Sequence, residues 1–134
     1  MRILNLTKIV LTLALTIGMF TAAQAADTEY VKKRNTSEFG NILTGSNGMT
    51  LYTFAKDTTD TSNCYDGCAK KWPPLVVADR YSFDNMGGKL GLTMRKGGEY
   101  QVTYMGKPLY YWFKDKKPGD TTGHKVKNVW FVVK

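Results

Sequence analysis

Apolar and polar residues alternate along several short segments of the chain, and this two-residue period predicts β-strands. Residues 39–44 and 49–54 show the pattern on either side of an Asn-Gly dipeptide, which favours the positive φ angles of a two-residue hairpin turn. Residues 99–104 and 109–113 repeat it around a Met-Gly dipeptide. The sequence therefore predicts two β-hairpins.

Each predicted hairpin is followed by a polar, turn-rich segment and then by a strand that starts at or beside a tryptophan, at residues 72–77 and 129–133. The mature chain shows no convincing 3.6-residue apolar period beyond a single turn at 65–71. We therefore expect an all-β domain, a small sandwich or barrel of about six to eight strands.

The two hairpin segments are related by an internal repeat with an offset of 58 residues. The chain is expected to hold a single β domain at 37–134, with repeat 1 at 39–77, a connecting loop at 78–92 and repeat 2 at 93–134. Two copies are too few for an open array, so they predict one compact unit with internal pseudo-two-fold symmetry. The matched pairs are Gly48/Gly106, Leu51/Leu109, Tyr52/Tyr110, Phe54/Trp112, Lys56/Lys114, Asp57/Asp115 and Trp72/Trp130.

The N-terminal segment has the organisation of a secretory signal. Two basic residues precede an apolar run at 9–20, and Ala23-Gln24-Ala25 offers the small residues that a signal peptidase reads. We expect cleavage after Ala25, since the run is short for a membrane span and no lipid-accepting cysteine follows it. The product is then periplasmic or secreted, with no transmembrane segment. Residues 26–36 are polar and are expected to form a flexible arm.

Charge and length narrow the possible functions only slightly. The mature chain of 109 residues keeps 17 of the 19 basic residues and all 11 acidic ones, a formal charge of +6. Basic surfaces suit anionic envelope components or acidic partners. No nucleic-acid-binding signature accompanies the charge, so nucleic acid is not an expected partner.

The repeated motif Tyr-x-(Phe or Trp)-x-x-Asp places the chain beside a known family. It occurs at 52–57 and 110–115, with Asn63-Cys64-Tyr65-Asp66-Gly67-Cys68 and Trp72-Pro73-Pro74-Leu75 after the first copy. This arrangement resembles the secreted-repeat family of predicted bacterial lipoproteins, over nearly all of residues 39–134. The resemblance implies export but no defined biochemical activity. The chain departs from the family in having no lipid-anchoring cysteine and in carrying Met105 where Asn is frequent.

The aromatic residues of the motif have two possible roles. Tyr and Phe or Trp two positions apart share one face of a strand, so Tyr52 with Phe54 and Tyr110 with Trp112 can fill the core. Alternatively, they form an exposed platform for a ligand or partner. Tyr111 and Phe113 make the second strand aromatic on both faces, so we centre this platform on repeat 2.

The motif aspartates, Asp57 and Asp115, stand where each aromatic strand ends. As turn formers they would accept hydrogen bonds from nearby backbone N–H groups. As a carboxylate pair they would have to be brought together by the pseudo-symmetry, and no other hydrolytic motif is present.

Cys64 and Cys68 are the two cysteines of the chain, and in an oxidising compartment they predict a disulfide. The closed loop is short, so the bridge should contribute about 2 kcal/mol or less and act locally. A redox-active dithiol is the alternative, although the spacing is not the Cys-x-x-Cys of thioredoxin-like proteins.

His124, in a polar loop, is the single histidine. A soft copper site would need it together with scattered methionines: Met49, Met86, Met94 and Met105. One histidine without a cluster is a poor metal site, so neither a metal nor a cofactor is expected.

These observations together predict an exported, non-catalytic binding or accessory protein of the cell envelope, whose partner or small ligand the sequence does not identify. The expected binding surface is aromatic and basic. Two alternatives are a periplasmic redox accessory protein that uses Cys64 and Cys68, and a copper carrier that uses His124.

Overall fold

A computed structural model describes residues 29–80 and 85–134, together with Gly18 and Phe83. The predicted signal sequence lies outside this part except for Gly18. Within it, most regular structure is β-strand, with one short α-helix and two short 3-10 segments, at Met86–Gly88 and Val126–Asn128. The elements are β1 (Val31–Thr36), β2 (Gly40–Gly45), β3 (Tyr52–Phe54), α1 (Gly67–Lys71), β4 (Val76–Val77), β5 (Leu90–Met94), β6 (Tyr100–Tyr104), β7 (Lys107–Pro108) and β8 (Trp130–Val132).

The strands form three antiparallel sheets, which confirms the all-β prediction. β1 pairs with β2, β3 pairs with β8, and β6 pairs with β5 on one edge and with β4 and β7 on the other. These sheets do not close into a barrel within the described residues. The single helical turn predicted at 65–71 is α1.

The N-terminal prediction is wrong for residues 31–36, which form β1 and not a flexible arm. β1 pairs with β2 along its whole length, and the Val31 side chain is completely buried. The remaining side chains of β1 are polar, and Lys32 and Arg34, on the face opposite to Val31, are half-buried. Pairing with β2 stabilises this strand, so it forms although its sequence lacks the alternating apolar residues that would predict it.

The linker between the repeats is also shorter than expected, because residues 90–92 of the predicted connecting loop belong to β5. β5 pairs with β6 as β1 pairs with β2, so each repeat begins with a hairpin that the sequence pattern revealed only in part.

The central turns of the two repeats differ by one residue. In repeat 1 the turn spans residues 46–48: the Gly45 N–H donates to Met49 O at 2.9 Å, and Gly48 has a φ of 79°. The predicted two-residue turn is therefore wrong there. In repeat 2 the turn does have two residues, Met105 and Gly106, with φ angles of 50° and 80°.

The repeats are joined through a central pair of residues. The backbones of Tyr52 and Tyr110 exchange two hydrogen bonds, of 2.8 and 3.0 Å. From this pair each repeat reaches across to the tryptophan-led strand of the other: Phe54 is paired with Trp130, and the Tyr111 N–H donates to Pro73 O at 2.8 Å. The final strands are thus exchanged between the repeats.

Two clusters of buried side chains make up the core. One is aliphatic and lies among the hairpins: Val31, Leu43, Leu51, Leu75, Val77, Leu90, Val102, Leu109 and Val133. The other is mainly aromatic and lies where the repeats cross: Ile42, Tyr52, Cys64, Trp72, Tyr110, Trp112, Trp130 and Val132. The second cluster contains most of the residues that the repeated motif contributes.

Candidate functional site

Four aromatic rings form a continuous stack through the centre of the molecule. Phe54 stacks on Trp130 with a centroid distance of 4.2 Å, Trp130 on Trp72 at 3.8 Å, and Trp72 on Trp112 at 3.9 Å. Phe54 and Trp112 are equivalent in the two repeats, as are Trp72 and Trp130. The pseudo-two-fold symmetry therefore exchanges the two central tryptophans, Trp72 and Trp130. The stack joins the repeats through contacts that neither repeat could make alone.

The exposed aromatic platform predicted on repeat 2 is wrong for Tyr110 and Trp112. Tyr110 is completely buried and Trp112 is 8% exposed. Tyr111, on the other face of the same segment, is half-buried, and Phe113 is 42% exposed. The aromatic pairs of the motif therefore pack mainly in the core, and Phe113 is the most exposed of these four residues.

The motif tyrosines and aspartates are crossed between the repeats. The Tyr52 hydroxyl of repeat 1 donates to Asp115 Oδ2 of repeat 2 at 2.7 Å, and the Tyr110 hydroxyl of repeat 2 donates to Asp57 Oδ2 of repeat 1, also at 2.7 Å. Burial raises the pKa of both tyrosines, and the neighbouring carboxylates raise them further. Both phenols therefore stay protonated and act as donors.

Each aspartate also accepts backbone hydrogen bonds, as the turn interpretation predicts. The Asn63 N–H donates to Asp57 Oδ1 at 2.7 Å, and the Thr122 N–H donates to Asp115 Oδ1 at 3.0 Å. These donors lie six and seven residues further along the chain, so each carboxylate fixes a whole loop. Burial raises the pKa of Asp57, although its hydrogen bonds and the charge of Arg95 act in the opposite direction.

Sequence reasoning missed the tyrosine partners of these carboxylates. The available signal was the motif itself, since its tyrosine and aspartate recur together in both copies. Their contact across the repeats depends on the strand exchange, which the spacing within one copy does not reveal.

Cys64 and Cys68 form a disulfide with a Cα–Cα distance of 5.3 Å, as predicted. Its loop is held by Arg95, which is 6% exposed: Arg95 Nη2 donates to Cys64 O at 2.7 Å, and Nη1 donates to Ser62 Oγ at 2.9 Å. The guanidinium also lies 4.3 Å from the ring centroid of Tyr65. Sequence analysis did not identify Arg95, because nothing in its local pattern marks it as buried.

A cavity of about 350 Å³ opens beside the aromatic stack, with residues from both repeats in its walls. We call it the inter-repeat cavity. Its lining includes four pairs at the 58-residue offset: Phe54/Trp112, Cys68/Val126, Lys71/Val129 and Trp72/Trp130, with Lys56, Gly67 and Lys127 beside them. The two repeats thus contribute equivalent residues to the cavity, and much of its wall is aromatic.

The charged residues at this cavity are all basic. Lys56, Lys71 and Lys127 are exposed, and the lining contains no acidic side chain. In the part of the chain that the structure describes, none of the three lysines forms an ion pair. The cavity therefore combines an apolar aromatic wall with uncompensated positive charge at its rim.

His124 is not part of the cavity lining. Its Nδ1 accepts a hydrogen bond from the Val132 N–H at 3.1 Å, and its ring packs against Phe39 and Phe131. Burial lowers the pKa of His124, which favours the neutral ring that this bond requires.

The copper-carrier alternative would need scattered methionines, and two of these lie at the surface. Met94 and Met105 are 62% and 70% exposed. Across residues 29–80 and 85–134 no group of three or more histidine, cysteine or acidic side chains could hold a metal ion.

A family model described as a secreted repeat of unknown function matches residues 33–76 and 91–134, which is more than half of the chain. The chain therefore belongs to this family of secreted repeats, and the two matched segments correspond to the two crossed repeats. Searches of curated proteins and of solved structures found no match. Among the described residues no helix has the length and apolar character needed to cross a membrane.

Proposed function

We propose that this secreted-repeat protein is a non-catalytic binding protein of the cell envelope and that it holds a small ligand in the inter-repeat cavity. The observation that carries the proposal is the cavity itself, with three tryptophans and one phenylalanine in its wall. Ligand sites are usually concave and largely apolar, with a few polar groups that orient the ligand.

The surroundings of the cavity support binding more than catalysis. The motif carboxylates are occupied as acceptors for Tyr52 and Tyr110, and His124 accepts a backbone N–H. None of Asp57, Asp115 and His124 belongs to the cavity lining. A catalytic acid or base has to reach the reacting group directly or through one water. These three side chains instead form hydrogen bonds with other parts of the protein.

The three tryptophans of the chain all line the cavity, so their indole N–H signals report on it directly. The test is a titration of ¹⁵N-labelled mature protein with 2-naphthol, a small planar molecule that is neutral at pH 7, followed by NMR. We expect saturable shifts of the three indole cross-peaks, with the backbone signals of β1 unchanged.

A pair of glycine variants gives the matched control. Gly67 lines the cavity, and a Cβ added to it would meet no atom within 4 Å, so Gly67→Phe should narrow the site without disturbing the fold. Gly97→Phe adds the same side chain on a turn outside the cavity, where the atom nearest to an added Cβ is 3.8 Å away. Loss of the shifts in Gly67→Phe alone supports the proposal. Equal shifts in both variants would overturn it, and so would the absence of saturable indole shifts in the wild type with both 2-naphthol and its anionic analogue 2-naphthalenesulfonate.

A further inference from the structure

We infer that the ligand of the inter-repeat cavity is a planar aromatic anion, one or two rings carrying a carboxylate, sulfonate or phosphate group. This inference rests on the proposed function and specifies the ligand class. The two chemical demands come from different parts of the same site: the wall selects a flat apolar body, and the rim selects negative charge.

The wall favours a flat ligand because its apolar area is mostly ring surface. Phe54 is half-buried at one end of the aromatic stack, and Trp112 closes the other end. Aromatic rings prefer offset-stacked or edge-to-face contacts with other rings, which a planar molecule satisfies best. The volume of about 350 Å³ lies near the lower limit of the roughly 300–1,000 Å³ of ligand pockets, so the ligand is small.

The rim favours an anion because its charge is of one sign. Lys56, Lys71 and Lys127 approach the cavity from three separate segments of the chain, and the lining offers them no carboxylate. Each lysine is exposed, so each is available to an incoming group. A cationic ligand would meet three like charges, and a neutral ligand would leave their attraction unused.

The buried indole N–H of Trp112 also favours a ligand that carries an acceptor oxygen. In the described part of the chain, the indole Nε1 of Trp112 is the one buried side-chain polar atom without a hydrogen-bond partner. Trp112 is also part of the cavity wall. A buried N–H without an acceptor is unfavourable, and an anionic oxygen is a strong acceptor for such a donor.

The test compares three probes of similar shape by isothermal titration calorimetry: 2-naphthol, 2-naphthalenesulfonate and the cation N-methylquinolinium. We expect the sulfonate to bind at least tenfold more tightly than 2-naphthol and the cation to bind most weakly. Single Lys→Gln changes at 56, 71 and 127 should each weaken sulfonate binding about two- to fivefold. They should weaken the binding of 2-naphthol much less than that of the sulfonate, and added salt should reduce the preference for the anion.

Net charge is controlled with a second set of variants. The triple variant Lys56→Gln, Lys71→Gln, Lys127→Gln should lose the preference for the sulfonate. A triple variant at Lys33, Lys89 and Lys117, which are exposed and lie outside the cavity lining, removes the same charge and should keep it. If both triple variants behave alike, or if 2-naphthol binds as tightly as the sulfonate, the inference is wrong while the proposed function stands. If none of the three probes binds, both fail.

Discussion

The loops that follow the two copies of the motif are fixed in different ways. In repeat 1, the loop after Asp57 contains the disulfide and is held by buried Arg95. In repeat 2, the loop after Asp115 has no disulfide, and Thr122 and Gly123 pack and bond directly onto the motif residues. The loop beside the crossed aromatic core can therefore be fixed by a disulfide in one repeat and by hydrogen bonds and packing in the other.

The two aspartates show the same difference in detail. Asp57 is half-buried and accepts two hydrogen bonds, from Asn63 and Tyr110. Asp115 is 7% exposed and accepts three: one from Tyr52 and two from Thr122, whose Oγ1 lies 2.6 Å from Asp115 Oδ1. Where the covalent bridge is absent, the carboxylate is more deeply buried and more fully bonded.

The largest predicted effect is at Gly123, in the loop of repeat 2. A Cβ there would lie 2.9 Å from ring atoms of Tyr52, Trp72 and Trp112, and the Gly123 N–H donates to the Tyr52 hydroxyl. Gly123→Ala should lower the free energy of unfolding by about 2–4 kcal/mol, from overpacking and the displaced hydrogen bond.

Urea denaturation of Gly123→Ala beside Gly67→Ala checks this expectation. A Cβ at Gly67 would have no atom within 4 Å, and this residue opens α1, so alanine there should be neutral or slightly stabilising. A Gly123→Ala variant as stable as the wild type would show that the loop of repeat 2 is not held by close packing.

The next largest predicted effect is the difference in stability loss between Asp→Asn changes at Asp115 and at Asp57. In Asp115→Asn, the new amide NH₂ can take either of two orientations. In one it faces the Tyr52 hydroxyl, which then has no acceptor for its own hydrogen. In the other it faces Thr122, whose backbone N–H and hydroxyl both donate to the carboxylate in the wild type. A buried donor is left without an acceptor either way, at a cost of about 1–3 kcal/mol. Thermal and urea denaturation of this variant measure the loss.

Asp57→Asn is the matched change in repeat 1 and should cost about 1 kcal/mol or less. Asp57 is half-buried, so the new amide oxygen can still accept from the Tyr110 hydroxyl while water replaces the exposed hydrogen bond to the Asn63 N–H. From the sequence alone the two Asp→Asn changes are expected to be equally mild. Equal losses in the two variants would contradict the asymmetry that the structure shows.

Breaking the disulfide tests the covalent closure of repeat 1. Replacing Cys64 and Cys68 with alanine together, or reducing the bridge, should cost about 2 kcal/mol or less, because the closed loop is short. Arg95 still holds the Cys64 carbonyl after reduction, so the loop should keep its position. A loss well above this value in urea denaturation would mean that the bridge stabilises the whole domain. Thiol titration of exported protein would detect any pool of reduced cysteines, which the redox alternative requires.

The smallest effect is the pH dependence that Asp57 confers. Burial raises its pKa in the folded protein above the unfolded value of about 3.9, so the folded state favours the protonated acid. The stability of the wild type relative to Asp57→Asn should therefore fall as pH rises from below 4 through the folded pKa. Urea denaturation of both proteins from pH 3 to pH 7 measures this difference, and a difference that grows with pH would contradict it.

Much of the fold follows from local patterns, and most of the site does not. The alternating segments predict strands β2, β3 and β6, and the two cysteines predict the disulfide. The predicted returning strand at 109–113 is wrong, because the strand that pairs with β6 there is β7, at Lys107–Pro108. The local patterns do not predict β1, because Val31 is its single large apolar residue. They also miss the crossing of Tyr52 to Asp115, since those residues are 63 positions apart and meet only after the repeats exchange strands. The inter-repeat cavity is a product of that exchange.

The most direct test of ligand binding in the inter-repeat cavity is to measure intermolecular nuclear Overhauser effects between bound 2-naphthol and the protein. We expect contacts to the three indole rings and to the methyl groups of Val126 and Val129, which line the cavity together with the stack. Contacts confined to the exposed apolar side chains elsewhere would contradict the assignment of the cavity as the binding site; these are Val76, Met94, Met105 and Phe113.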